Sequence, residues 1–129
     1  MNERGAISVL GVAVVAVTLV GALVGFEVSR LVLARVQAQT AADAAALAAA
    51  PVTFAPFGAG GTPAEEAERF AMVNGATLES CLCPPDPVWR ARTVVVEVVV
   101  PVDGSFIVTG VHARSAARFD PTVWLTGNR

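Results

Sequence analysis

Several chemically active residue types are scarce in this 129-residue sequence. Tyrosine is absent, His112 is the only histidine, and all nine basic residues are arginines. Histidine and lysine are the usual general bases and amine nucleophiles, and the sequence shows no nucleophile elbow, phosphate loop or metal-ligand spacing. We therefore expect no enzyme, no cofactor, no metal site and no small-molecule substrate. His112 is predicted to be an exposed strand residue beside Arg114.

Clustered positive charge is also missing. The formal net charge is −2, and after Arg35 nine acidic residues are set against six scattered arginines. A nucleic-acid surface needs a basic patch or stripe to meet phosphates. The sequence therefore predicts no nucleic-acid partner.

Cysteine occurs only twice, as Cys81 and Cys83. On a regular strand these residues would point the same way with Cβ atoms roughly 7 Å apart, whereas a disulfide needs about 3.5–4.5 Å. A bend at the following Pro84 would permit a strained disulfide, and an external location would favour oxidation. A strained or intermolecular disulfide is preferred over free buried thiols, with metal binding last.

Apolar residues, in contrast, are abundant: they make up 54% of the sequence, and the mean hydropathy is +0.62. Ala6 to Phe26 is an uncharged run of about 21 residues, which as a helix spans roughly 31 Å, close to a bilayer core. A retained membrane helix is the first prediction. A cleaved secretory signal would have a shorter apolar region, and a buried core helix would lack a second long element to cover it.

Two features of this helix suggest how it is used. Gly21 and Gly25 have GxxxG spacing, and Ala13 continues the row of small residues, so these positions are candidates for close helix packing. Glu27 and Arg30 share a helix face and are predicted to form an ion pair at the membrane interface. Arginines lie on both sides of the span, so charge alone gives no orientation.

The helix is predicted to continue beyond the membrane. Leu31 to Ala50 contains strong helix formers and no Gly or Pro until Pro51. Its alanine-rich surface suits close packing against other helices, or it is simply a stable stalk.

A small second region follows a Pro/Gly linker. Thr62, Pro63 and Glu65 predict a capping box, and the helix after it carries Ala67, Phe70 and Val73 on one side and stops at Gly75. Strands are predicted over 77–83, 92–100 and 107–118, with a bulge or bend near Gly110 and a loose tail after Phe119. In the second strand one face is predicted to hold Val94, Val96, Val98 and Val100, with Glu97 on the other.

The expected fold class is therefore α+β, with a long N-terminal transmembrane helix extended as a stalk and a small domain of one helix and three antiparallel strands. The predicted segments are the helix and stalk at 1–50, the linker at 51–63, the small domain at 64–119 and the tail at 120–129.

The N-terminal residues resemble a known family. RGAISVLGVAVVAVTLVGALVGFEVSRLVLARVQAQTAADAAALAAA is similar to the start of TadE/TadG-like, pseudopilin-like proteins of bacterial tight-adherence (Flp-type) pilus systems. The later NGATLESC, residues 74–81, is similar to a helix-to-strand junction in the short TadE-like group found near helicase and secretion genes.

This resemblance implies a single-pass protein of the bacterial cytoplasmic membrane, with its N-terminus in the cytoplasm and its small domain outside. It implies other pilin-like subunits as partners, and a prepilin peptidase that cuts between Gly5 and Ala6. Prepilins usually carry Glu at the fifth residue after the cut, where this sequence has Leu10. We therefore expect an accessory or minor component rather than a major pilus subunit.

A second class of function stays open. The chain could be a secreted or bitopic envelope protein whose small domain binds a partner unrelated to pili.

Overall fold

The structure is a computed structural model that describes residues 3–57 and 60–127, with residues 3–7 and Trp124 described for the backbone only. Its elements, in chain order, are helix α1 (Glu3–Val52), helix α2 (Pro63–Val73), strand β1 (Thr77–Leu82), strand β2 (Arg92–Pro101), strand β3 (Gly110–Phe119) and helix α3 (Val123–Thr126). The long helix, the shorter helix and the three-stranded antiparallel sheet confirm the predicted α+β class.

The chain forms two compact units, Met1–Val32 and Leu33–Arg129. In the first unit, the large apolar side chains of α1 from Val9 onward are exposed, except that of Leu31, which is half-buried. Over Ser8–Val52, α1 is long and apolar enough to cross a membrane, and its most apolar window contains no buried residue. A solvent-exposed apolar surface of this length fits a helix whose natural solvent is lipid.

In the second unit, α1 contributes a buried stripe of alanines. The stripe repeats at spacings of three and four residues, which places its members on one helix face. The residues with no exposed surface are Ala38, Ala41, Ala42, Ala45, Ala46 and Ala49. The expectation that this alanine surface packs against other chains is therefore wrong, because the protein's own second unit covers it. Because alanines occur on almost every side of this helix, the sequence alone does not show which face is buried.

Helix α2 begins with the predicted capping box. Thr62 Oγ1 accepts from the Glu65 N–H at 3.2 Å, and the Glu65 carboxylate accepts from the Thr62 N–H at 2.7 Å. The predicted stop is also present, since Gly75 has a φ of +74°, which a side chain disfavours. The predicted buried face is partly wrong: Ala67 is buried, but the other buried residues of α2 are Pro63 and Ala71. Val73, by contrast, is 77% exposed.

The sheet has the order β1-β2-β3, and both pairings are antiparallel. The alternation predicted for β2 is confirmed, since Glu97 is half-buried and the opposite face is buried at Val94, Val96, Val98 and Val100. These valines, the alanine stripe of α1 and the buried face of α2 form the core of the second unit.

Two local predictions need correction, and a third holds in part. The last strand begins at Gly110 in unbroken register with β2, because the Val102 N–H donates to the Thr109 carbonyl at 3.1 Å and closes a loop before it. The chain does bend next to Gly110, at Thr109, but the sheet's register shift lies in β1, between Leu78 and Ser80. The tail is not simply loose, since Pro121 is buried and α3 follows it.

Candidate functional site

The first unit offers a helix surface open to close neighbours. A Cβ added at Gly21 or Gly25 would meet no atom within 4 Å, so the backbone is accessible at both positions. Ala13 lies on the same exposed helix. Small residues at this spacing allow two helices to approach closely in lipid. Their use as a packing surface stays a prediction.

The first unit also brings Glu27 and Arg30 together. Arg30 Nη1 lies 3.9 Å from Glu27 Oε2, and the guanidinium carbon lies 5.8 Å from the centre of the Phe26 ring. The distance is at the outer limit of an ion pair, and the ring contact adds a cation–π interaction. The interfacial role of this pair stays a prediction.

The predicted cleavage position lies at the start of α1. Gly5 and Ala6 belong to the helix, and only their backbone is described. Leu10 lies one turn further on and is 67% exposed. Its aliphatic side chain has no charge with which to bind the amino group of a neighbouring chain.

The second half of α1 presents an outward face opposite its buried alanines. This face carries large apolar side chains: Leu33 is 69% exposed, Val36 60% and Leu47 68%. This apolar face was not predicted from the sequence, because only the alanine-rich surface was considered for packing. The sequence contains only a partial signal, since Leu33, Val36 and Leu47 share a helix face with the polar Thr40 and Asp43.

The two cysteines form a disulfide in the structure. Strand β1 ends at Leu82, and the chain turns so that the Cα atoms of Cys81 and Cys83 are 5.4 Å apart, within the range that disulfides adopt. Cys83 is buried and Cys81 is half-buried. The pairing in the cell stays a prediction.

Polar side chains cross the exposed face of the sheet. His112 is 66% exposed, and its Nδ1 lies 2.6 Å from Glu79 Oε2. Arg114 Nη1 lies 3.6 Å from Glu97 Oε1, and the Ser80 hydroxyl donates to the other Glu97 oxygen at 3.1 Å. Among the described residues no group of three or more His, Cys, Asp or Glu side chains is arranged to hold a metal ion. The contacts are cross-strand pairs that stabilise a sheet surface.

Sequence reasoning missed a structural centre at Arg92. Its guanidinium donates to the carbonyls of Thr53, Asp86, Val88 and Arg90, and it lies 5.4 Å from the centre of the Phe54 ring. These partners come from the end of α1 and from the loop before β2. Arg92 therefore ties the helix to the sheet through backbone groups that a sequence does not reveal.

An aromatic cluster lies beside this arginine. Phe54 is fully buried, and its ring meets those of Phe57 and Trp89 edge-to-face, with centroids 5.0 and 4.7 Å away. Phe119 joins through Phe57 at 6.1 Å. The sequence offered one clue, namely two phenylalanines inside a Pro/Gly segment that was interpreted as a linker.

Two aspartates stabilise turns of the second unit. The Val88 N–H and the Arg90 side chain donate to Asp86 and hold the pKa of its carboxyl below the usual value. The hydroxyl and N–H of Thr122 lower the pKa of Asp120 in the same way. In both cases the ionised carboxylate accepts the hydrogen bonds, so these turns are most stable when the two acids are ionised.

Comparison with known proteins gives a match to a family model. Residues 5–52 match the family model described as putative Flp pilus-assembly TadE/G-like. Helix α1 carries the TadE/G-like segment. The TadE/G-like match ends at Val52, where α1 also ends, and it confirms the resemblance predicted for this N-terminal segment. The further resemblance predicted for residues 74–81 lies outside the TadE/G-like match. No curated protein and no solved structure matches the chain.

The TadE/G-like match and the apolar helix together support a component associated with Flp-type pilus assembly that crosses the membrane once. Assembly is a structural task that helix and sheet surfaces can perform without a catalytic centre. The candidate functional sites are therefore the exposed helix surfaces described above, whose use in packing stays a prediction.

Proposed function

We propose that this protein is an accessory, or minor, pseudopilin-like component of a Tad/Flp-type pilus or secretion apparatus. Helix α1 anchors it in the bacterial cytoplasmic membrane with its N-terminus in the cytoplasm, and the second unit is extracytoplasmic. The observation that carries this proposal is the TadE/G-like match over a helix whose apolar side chains are exposed.

Leu10 supports the accessory role. An acid at this place would neutralise the amino terminus of a neighbouring subunit inside the apolar assembly, where an unpaired charge costs several kcal/mol. A filament made only of this chain would leave those amino termini without a partner. The protein therefore combines with a relative that supplies the acid.

Two helix surfaces are available for this association. Gly21 and Gly25 provide a close-packing surface within the apolar segment. Leu33, Val36 and Leu47 provide an apolar face on the second half of α1. The partners proposed for both surfaces are the long helices of other pilin-like subunits.

Site-specific photo-crosslinking in native membranes tests this proposal. A crosslinking residue at Gly21 or at Leu47 should capture another pilin-like chain, while one at the fully buried Ala45 should capture no other chain. Self-crosslinks alone at both exposed positions would contradict the accessory role.

Mass spectrometry of the mature N-terminus tests processing separately. A chain that begins at Ala6 would support cleavage by a prepilin peptidase, and an intact Met1 would exclude it. Cell fractionation tests the secreted alternative: release into the medium without the apolar segment would favour secretion over a membrane anchor.

A further inference from the structure

Strand β3 leaves one long edge of the sheet unpaired. It pairs with β2 without interruption from Pro101↔Gly110 to Arg92↔Phe119, and among the described residues no strand pairs with its other edge. Ten residues of strand present an edge of about 33 Å. Backbone N–H and C=O groups along such an edge are ready to pair with another extended chain.

The two edges of the sheet differ. The β1 edge is six residues long, contains the register shift near Ser80, and ends at the Cys81–Cys83 disulfide. Short length and bulges are the usual means by which proteins protect a sheet edge from pairing. β3 has neither of these protections and contains no proline.

The solvent side of β3 carries a basic notch that we define as Arg114, Ala116 and Arg118. All three residues are exposed, and the small Ala116 leaves space between the two arginines. Arg114 is 67% exposed, and its nearest carboxylate, on Glu97, is 3.6 Å away, so donors remain for a second acid. Arg118 makes no hydrogen bond within the described part of the chain, and its charge acts on Asp120.

The other side of β3 carries small side chains that are half-buried. It carries Val111, Ala113 and Ser115, followed by the buried Ala117. A strand added at this edge would place its own alternate side chains next to these residues, where apolar groups would extend the core.

We propose that the free edge of β3 binds an extended acidic segment of another protein by strand addition. The segment alternates carboxylate and apolar residues, and one carboxylate lies opposite Ala116 within reach of both arginines of the basic notch. The sheet's own acids, Glu97 and Glu79, are on β2 and β1, so the partner's carboxylates meet the arginines from the unoccupied side.

A second copy of this chain does not fit the edge. An antiparallel pair of two β3 strands would place the two basic notches side by side on the same face of the sheet. Like charges opposed across neighbouring strands destabilise the pairing, whereas an acidic segment brings the opposite charge.

Peptide binding tests the proposal with the full chain in a non-ionic detergent. The probe is a capped, fluorescently labelled ten-residue peptide of alternating glutamate and valine, and its binding is measured by anisotropy. A peptide of alternating lysine and valine should bind at least about tenfold more weakly, because each cross-strand charge pair changes sign. Equal binding of both peptides would overturn the proposal.

Two matched comparisons separate charge from strand pairing. Ala116→Glu should weaken binding of the glutamate peptide by about tenfold, while Ala116→Gln, which is of similar size and uncharged, should retain it. A glutamate peptide N-methylated at alternate residues keeps its charge but loses donors, and it should bind poorly. Full binding of the methylated peptides, tested in both alternations, would reduce the contact to simple charge attraction and refute strand addition.

Cysteine crosslinking tests whether a second copy of this chain occupies the edge of β3. In a symmetric β3 pair centred on Ser115, Ser115→Cys would place two thiols opposite each other. Efficient disulfide dimers of this variant in membranes, absent for Met72→Cys on α2, would show self-pairing and overturn the proposal. Because this readout and the peptide assay do not depend on pili, they fail independently of the accessory role.

Discussion

The most informative stability prediction concerns Arg92, whose guanidinium joins the end of α1 to the loop before β2. We compare Arg92→Met, which keeps a long side chain but no donors, with Arg92→Lys, which keeps the charge. The carbonyl groups of Asp86 and Thr53 that Arg92 reaches are part-buried. Loss of a donor to a buried acceptor costs about 1–3 kcal/mol.

The Thr53 carbonyl keeps one partner in the variant, because it also accepts from the Asp86 N–H at 2.8 Å. The principal loss is therefore at Asp86, with smaller losses at the more exposed carbonyls of Val88 and Arg90. We expect Arg92→Met to lower the free energy of unfolding by about 2–4 kcal/mol, and Arg92→Lys by a smaller amount because an ammonium reaches fewer carbonyls.

Trp89 provides the assay, in a Trp124→Phe background because the chain contains two tryptophans. Its ring packs 4.7 Å from that of Phe54, so its fluorescence and near-ultraviolet circular dichroism report the region that Arg92 holds. Denaturant unfolding of the full chain in detergent gives the midpoint, with far-ultraviolet signal followed in parallel because α1 can stay helical in the micelle. If Arg92→Met unfolds at the same midpoint as the unchanged protein, the carbonyl contacts do not stabilise the second unit and the reasoning is wrong.

Three further predictions concern the same unit. Ala45→Leu should destabilise it by about 1–3 kcal/mol because Ala45 is fully buried. Leu47→Ala, at an exposed position, should change stability by less than about 0.5 kcal/mol. Thermal unfolding compares the two variants, and similar losses of stability would contradict the buried stripe. Thr62→Ala should remove the capping box and cost about 1 kcal/mol, with Thr62→Ser as the conservative control in the same measurement. Folding lowers the pKa values of Asp86 and Asp120, so their contribution to stability is complete above the ordinary carboxyl pKa and is lost as the pH falls through the lowered values. The unfolding midpoint should therefore drop in acid. It should drop less in an Asp86→Asn, Asp120→Asn double variant.

Local rules accounted for much of the fold. The capping box of α2, its stop at Gly75 and the alternation in β2 each depend on residues within a few positions of one another, and each was predictable from the sequence. The TadE/G-like segment was recognised for a similar reason, since it is one continuous helix.

Features that depend on distant segments were not predictable. An alanine is compatible with either face of a helix, so only the packed core reveals that Ala45 is buried and that the opposite face is exposed. Arg92 binds main-chain carbonyls of two segments that are distant in sequence from each other, and carbonyls carry no sequence signature. The register shift in β1 likewise depends on pairing with β2.

The burial pattern also determines where the protein can be divided. Four valines of β2 are buried, and burial of each stabilises the fold by about 1.5–3 kcal/mol, so losing their cover removes an amount comparable to the whole stability of a small domain. The alanine stripe of α1 forms part of that cover. A fragment comprising residues 33–129 should therefore unfold cooperatively, whereas one that begins at residue 51, after the stripe, should bind a hydrophobic dye and lack a cooperative transition. Cooperative unfolding of the shorter fragment would show that α2 and the sheet form a sufficient core without α1.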